Sequence, residues 1–205
     1  MSKLWDVVHA ERDALIRDLE SLPPEQWSAP SLCPGWDVHD VLAHLVGDAK
    51  TTRLSFLRDL IAARFDFDHA NARGVERERL GDPKHTLEAF RAVSRRTTSA
   101  PAPLATRLVE IIVHGEDIRR PLGIHHDYPI ASVAEALRYQ LRTIVKMGGG
   151  KERAEGLRLV ATDGDTEMGT GADVHGTSLA LLLAVSGRPV GVDELSGPGA
   201  ASLRA

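Results

Sequence analysis

The stretch LATRLVEIIVHGEDI, residues 104–118, decides how the rest of the chain is read. Positions 104, 105, 108, 109, 111, 112 and 113 are all apolar, so nearly every side of this helical segment must be covered by other elements. Pro103 near its start and Pro121 to Gly123 beyond its end bound it as one long helix. Glu110 and His114 interrupt the apolar surface four residues apart, which stacks their side chains on one face. A carboxylate in such a helix is costly unless it is paired. Arg107, one turn earlier, can offset it as a salt bridge. A divalent metal shared with His114 can offset it better.

A third ligand is available upstream. In SLCPGWDVHDVLAHL, residues 31–45, His44 falls among Val41, Leu42, Ala43 and Leu45 on a helix that reads as buried. Asp37 and Asp40 have the spacing of a capping box, with Asp in place of the usual Glu, and start a second helix expected to run into the low sixties. A Glu-x-x-x-His pair alone is a weak signal. A histidine from another helix strengthens it, because bundles build metal sites from side chains projecting inward from facing helices. Two imidazole nitrogens and one carboxylate oxygen suit a divalent transition ion, zinc most simply, with a coordination position left open.

Working outward, Leu4, Val7, Val8, Leu15, Leu19 and Leu22 mark an amphipathic first helix ended by Pro23 and Pro24. HTLEAFRAVSRRTTSA reads as a shorter, more polar helical piece and IASVAEALRYQLRTIVKM as the fourth bundle helix, while the polar stretch 66–85 reads as a mobile connection. Glycine usage then shifts: 12 of the 18 glycines lie from Gly148 onward. The run MGGG at 147–150 therefore reads as a helix end entering a linker. Beyond it, LRLVATD alternates like a strand, TEMGTG reads as its hairpin partner, and TSLALLLAVSG is a short buried helix closed by Gly187. The expected fold is α+β and mainly α: a four-helix bundle over residues 1–147, then a small α/β domain over 151–205.

Composition removes several classes of function. A chain of 205 residues that is 42% hydrophobic can bury a core. With 25 basic against 29 acidic residues and 4% aromatics, it offers neither a cationic surface nor a stacking platform for nucleic acid. No apolar run approaches the ~18 residues a membrane span needs, and the charged N-terminus does not read as a signal peptide, so a cytoplasmic protein is expected. Cys33 is the only cysteine, which rules out an intramolecular disulfide and a multi-cysteine zinc site.

Taken together, SLCPGWDVHDVLAHL, EIIVHGEDIRRPLG and the tail LRLVATDGDTEMGTGADVHGTSLALLLAVSGRPV resemble the mycothiol-dependent maleylpyruvate isomerase family of the DinB-like metalloenzyme superfamily. The resemblance implies a DinB-like four-helix bundle that binds zinc through His44, Glu110 and His114, a small C-terminal α/β domain, and mycothiol as cofactor. It also matches Arg188 to a Gly-Arg-Pro pattern, where a guanidinium can bind a carboxylate of substrate or thiol in a catalytic or cofactor-binding role.

Thiol chemistry needs a thiolate, and Cys33 beside Pro34 reads as a small packed residue rather than a nucleophile. The sulfur is thus expected from outside, held deprotonated at the open metal position. Trp36 is placed to wall that pocket. The partners expected are a small-molecule thiol and a small electrophilic substrate, in a metal-dependent isomerase or S-transferase. Two alternatives are a zinc hydrolase that uses no thiol, although no His-Glu-x-x-His motif is present, and a non-catalytic small-molecule binding module. His9 and His39 are read as solvated or capping, the pair at 125 and 126 as surface, and Asp117 as an anchor for Arg119 or Arg120 at least as readily as a partner of His114.

Overall fold

The computed structural model describes residues 3–191 and 193–204. Its contacts divide the chain into two units, Met1–His126 and Asp127–Ala205. The fold is α+β and mainly α.

In the first unit, α1 (Lys3–Glu20), α2 (Val38–Lys50), α5 (Pro83–Val93) and α6 (Ala105–Arg119) form the bundle, with α2 packed on α5 and α6 and α1 packed on both as well. The apolar stripe foreseen for α1 is buried at Val8, Leu15 and Leu19, and Leu22 beyond the helix is buried too. Leu42 and Val46 of α2, Phe90 of α5, and Leu108 and Ile112 of α6 complete the core. These side chains supply most of the stability, roughly 1.5–3 kcal/mol for each one fully buried.

The capping box that begins α2 is present: the Asp37 side chain accepts from the Asp40 amide at 2.7 Å, and Asp40 accepts from the Asp37 amide at 3.1 Å. The helix does not continue into the sixties. It stops at Lys50, and a second capping box, Thr52 with Ser55, starts α3 (Arg53–Ala62). Hydroxyls at these spacings favour a new start over continuation.

The polar stretch after it is likewise not a loop. α4 (Phe67–Glu78) is capped by Asp66, buries Val75, and is tied to α2 by Lys50 and Glu78 at 2.6 Å. One buried valine, a ring contact between Phe67 and Phe56 of α3 at 5.9 Å, and ion pairs to α2 and α3 hold a helix whose polarity hid it.

The fourth bundle helix also differs from expectation. It is α5, while α7 (Ile130–Gln140) belongs to the second unit and packs on α8 (Ser178–Val185). The division by contacts therefore falls at His126, ahead of the expected boundary at 147. α8 is apolar all round and needs covering, and the buried Val133 and Leu137 of α7 supply it.

The second unit carries a sheet of order β2-β1-β3-β4, built from β1 (Leu157–Ala161), β2 (Glu167–Gly169), β3 (Ala172–Gly176) and β4 (Leu195–Ser196). β1 and β2 are the expected antiparallel pair, with Leu159 opposite Met168. β3 was not foreseen and runs parallel to β1, with Leu159 opposite Val174. Only Thr170 and Gly171 separate β2 from β3, so the chain must cross tightly beneath the start of β1. Gly171 makes this possible: its φ is +131°, and a Cβ there would run into the Gly156 carbonyl. A short helix, α9 (Ala200–Arg204), follows β4.

Candidate metal centre

The residues Cys33-Pro34-Gly35-Trp36 form a tight turn before α2. The Trp36 amide donates to the Cys33 carbonyl at 3.1 Å, Pro34 fills the second position, and Gly35 fills the third with φ +80°. This is the residue pattern of a type II turn, in which the third position needs positive φ. The Ser31 hydroxyl braces it by donating to the Trp36 carbonyl at 2.8 Å, and the Leu32 amide donates to the Asp117 carbonyl of α6 at 3.1 Å. The turn thereby hangs the Trp36 ring beside two histidines, 5.2 Å from the centroid of His44 and 6.5 Å from that of His114.

Beneath Trp36, α2 and α6 bring three head groups together. His44 Nε2 lies 3.1 Å from Glu110 Oε2, and His114 Nε2 lies 3.4 Å from the same oxygen. One ligand atom from each of the three residues falls within 4.8 Å of the others. The two imidazoles meet edge to face with centroids 4.6 Å apart. Both histidine side chains are 14% exposed and Glu110 is 26% exposed, so the cluster is sheltered yet open to solvent on one side.

Asp117 completes the arrangement. Its carboxylate has no solvent exposure and lies 2.8 Å from His114 Nδ1. A carboxylate there keeps a proton on Nδ1 and presents Nε2 to the cluster, as metal-binding histidines are commonly held. The contact with His114 is one of the two roles open to Asp117 in the sequence. Arg119 meets Asp18 at 2.7 Å and Arg120 meets Glu116 at 3.0 Å.

The electrostatics of the cluster favour positive charge beside Glu110 and Asp117. Burial by itself raises the Glu110 carboxyl, but hydrogen bonds from the His114 and His44 rings take it well below the usual carboxylate range. Burial by itself lowers His114, yet its bonds to Asp117 and Glu110 prevail and raise it to about 9. Without a metal, a proton shared through His114 balances the carboxylates. A divalent ion at the three donors would replace that proton. Two imidazole nitrogens and a carboxylate oxygen, with a buried carboxylate behind one of them, fit such an ion.

Arg107 is committed elsewhere. It forms a short ion pair with the Asp48 carboxylate and donates to the Asp48 carbonyl at 3.3 Å, while Arg12 approaches the same carboxylate at 3.8 Å. The interior thus holds an Arg12–Asp48–Arg107 group that the sequence reading did not find. Its signal was present in outline, since Asp48 follows His44 by one helical turn and Arg107 precedes Glu110 by nearly one.

Among the remaining expectations, Cys33 is half-buried in the turn, where its amide donates to the Ser31 hydroxyl at 3.1 Å. Arg188 belongs to the second unit, where its Nη1 donates to the Ser186 carbonyl at 3.0 Å. His9 and His39 are buried rather than solvated: His9 stacks on Trp5 at 5.8 Å, and His39 shares a hydrogen bond with Thr86 at 2.8 Å. His126 is not a bare surface residue either, since it meets Glu11 at 2.6 Å. No helix among the described residues is long and apolar enough to cross a membrane.

Residues 8–105 match the family model described as the mycothiol maleylpyruvate isomerase N-terminal domain. That stretch contains His44 and stops short of Glu110 and His114. Two solved structures share the fold over 97% of this chain and 92% of theirs: the crystal structure of the mycothiol-dependent maleylpyruvate isomerase, at TM-score 0.64, and that of a histidine-to-alanine mutant of it, at TM-score 0.63. Each is 15% identical to this chain, a likeness of fold. No curated protein sequence matches. The stretch from α1 through α5 thus resembles that family's N-terminal domain in sequence, and the chain as a whole shares the fold of the two isomerase structures.

Proposed function

We propose that this protein is a metal-dependent enzyme that uses mycothiol, acting as an isomerase or S-transferase on a small electrophilic substrate, with maleylpyruvate the first to test. The observation that carries the reading is the convergence of His44 Nε2, Glu110 Oε2 and His114 Nε2 within 4.8 Å on a cluster that solvent can reach. These three residues would hold a divalent ion, zinc most simply. When bound, the ion supplies Lewis acidity that keeps an external thiol deprotonated near neutral pH, and the thiol supplies a nucleophile for an electrophilic carbon.

The chain's own residues do the rest. Asp117 fixes the tautomer of His114 and holds the ring in place. Trp36 shields the histidine face from water and offers an aromatic wall to an incoming ligand. The partial exposure of Glu110 leaves an approach for a thiol that the protein does not carry itself. Arg188 enters the reading as a cation for a carboxylate of thiol or substrate.

Elemental analysis of the purified protein and of His44→Ala, joined to a mycothiol-dependent assay on a panel of electrophiles, tests this. Stoichiometric metal in the parent, its loss in the variant, and turnover that needs both metal and thiol are expected. Hydrolytic turnover without thiol would replace the reading with that of a zinc hydrolase.

A further inference from the structure

The second unit contains a cleft of about 390 Å³, within the range of small-molecule sites. Its floor is apolar: Leu157 and Leu159 of β1, Met168 of β2, and Leu141 just beyond α7. Its rim is cationic. Arg138 in the last turn of α7, Arg142 one turn further and Lys151 from the following segment all line it, and no carboxylate does.

These cations are uncommitted. Among the described residues, none of the three forms an ion pair within 4 Å or a side-chain hydrogen bond, although many arginines elsewhere in the chain are paired. Glu152, next to Lys151 in sequence, accepts from the Val145 amide at 2.8 Å, and Arg153 is held by the carbonyls of Gly149 and Val185. A position near the end of α7 suits one cation, which complements the helix carbonyls. It does not account for three that meet over one apolar floor.

We infer that this cleft binds a small organic anion with an apolar body, a carboxylate or a phosphate, whose chain or ring lies on Leu141, Leu159 and Met168 while Arg138, Arg142 and Lys151 receive the charged end. The site is separate from the metal cluster in its residues and needs neither metal nor thiol.

The test uses the full-length protein and octanoate. The sequence has 3 methionines, so a methyl-labelled methionine spectrum gives few signals, and Met168→Leu assigns the one that matters. Octanoate should shift the Met168 signal saturably, and octyl phosphate, run in parallel, ranks carboxylate against phosphate. 1-Octanol should bind more weakly, by roughly tenfold or more, the loss expected when a charge-assisted hydrogen bond is missing. Arg138→Gln with Arg142→Gln should weaken octanoate to the level of 1-octanol, and Lys146→Gln, which does not line the cleft, should not. Lys151→Gln gives a second reading if the double variant is poorly folded. An unmoved Met168 signal, equal binding of octanoate and 1-octanol, or octanoate binding unchanged in all the cleft variants would overturn the assignment.

Discussion

His114 Nδ1 and Asp117 Oδ2 lie 2.8 Å apart within one turn of α6, and the carboxylate is wholly buried. The contact settles which face of the imidazole meets the cluster. Asp117→Asn keeps the shape and removes the charge. If the cluster binds metal, this variant should lose affinity by about 10–100-fold, the usual effect of removing a carboxylate behind a histidine ligand. Competition with a chromophoric chelator measures it. Unchanged affinity would show that Asp117 matters only for packing.

The same contacts set a pH dependence. In metal-free protein His114 titrates at about 9, above its ordinary 6.5. A raised folded value means that the stability from this group is fully present below about 6.5 and is lost as pH rises through about 9. Glu110 works in the opposite sense: its contribution is present above the ordinary carboxylate value of 4.5 and is lost as pH falls through its depressed one. Chelator-treated protein should therefore melt at lower temperature at pH 10 than at pH 7. Metal must displace the His114 proton, so binding at pH 7.5 should release about one proton, read by calorimetry in buffers of different ionisation enthalpy.

The sequence showed the donor set and hid what surrounds it. Glu110 and His114 could be paired by helical spacing, and His44 joined them because it broke an apolar run. Nothing in local spacing placed Asp48 against Arg107, a contact across the bundle, nor made α5 rather than α7 the fourth bundle helix. Helix pairing depends on which apolar faces match in three dimensions, and α8, apolar on every side, claimed α7. α4 was missed because a single buried valine, one ring contact and ion pairs to α2 and α3 leave almost no periodic signal. β3 was missed because its burial depends on a parallel neighbour, although the glycines on either side of Thr170 marked the crossing that leads to it.

Gly35 tests the turn that carries Trp36. With φ +80° and nothing within 4 Å of an added Cβ, Gly35→Ala meets no clash and pays only for its backbone conformation, roughly 1–2 kcal/mol. Metal content should be unchanged. If Trp36 walls the thiol pocket, KM for mycothiol should rise in step with the movement of the ring, and Trp36→Phe should raise it less than Trp36→Ala does. A KM equal to that of the parent in Gly35→Ala and in Trp36→Ala would remove Trp36 from the site.

Cys33 sits in the same turn and separates two sources of sulfur. With its amide bonded to Ser31 and its carbonyl to Trp36, its backbone serves the turn whatever its side chain does. Cys33→Ser should leave mycothiol-dependent turnover largely intact. A loss as large as that in His44→Ala would make Cys33 the nucleophile.

Glu110 and Arg107 separate a ligand from a buried counterion. Had they served only each other, removing either would give the same defect. Arg107 pairs with Asp48, and Glu110 faces His44 and His114, so the two substitutions should diverge. Arg107→Ala strands Asp48 with Arg12 at 3.8 Å as its remaining ion-pair partner in this group. Breaking such a buried pair costs on the order of 3–5 kcal/mol, so the melting temperature should fall steeply while folded protein keeps its metal. Glu110→Gln should do the reverse, losing metal with a smaller change in the melting temperature of chelated protein. Chelation should destabilise the parent more than the Gln variant, because an ion bound only to the folded state stabilises it. Full metal occupancy in Glu110→Gln, with equal melting shifts on chelation, would exclude Glu110 as a ligand.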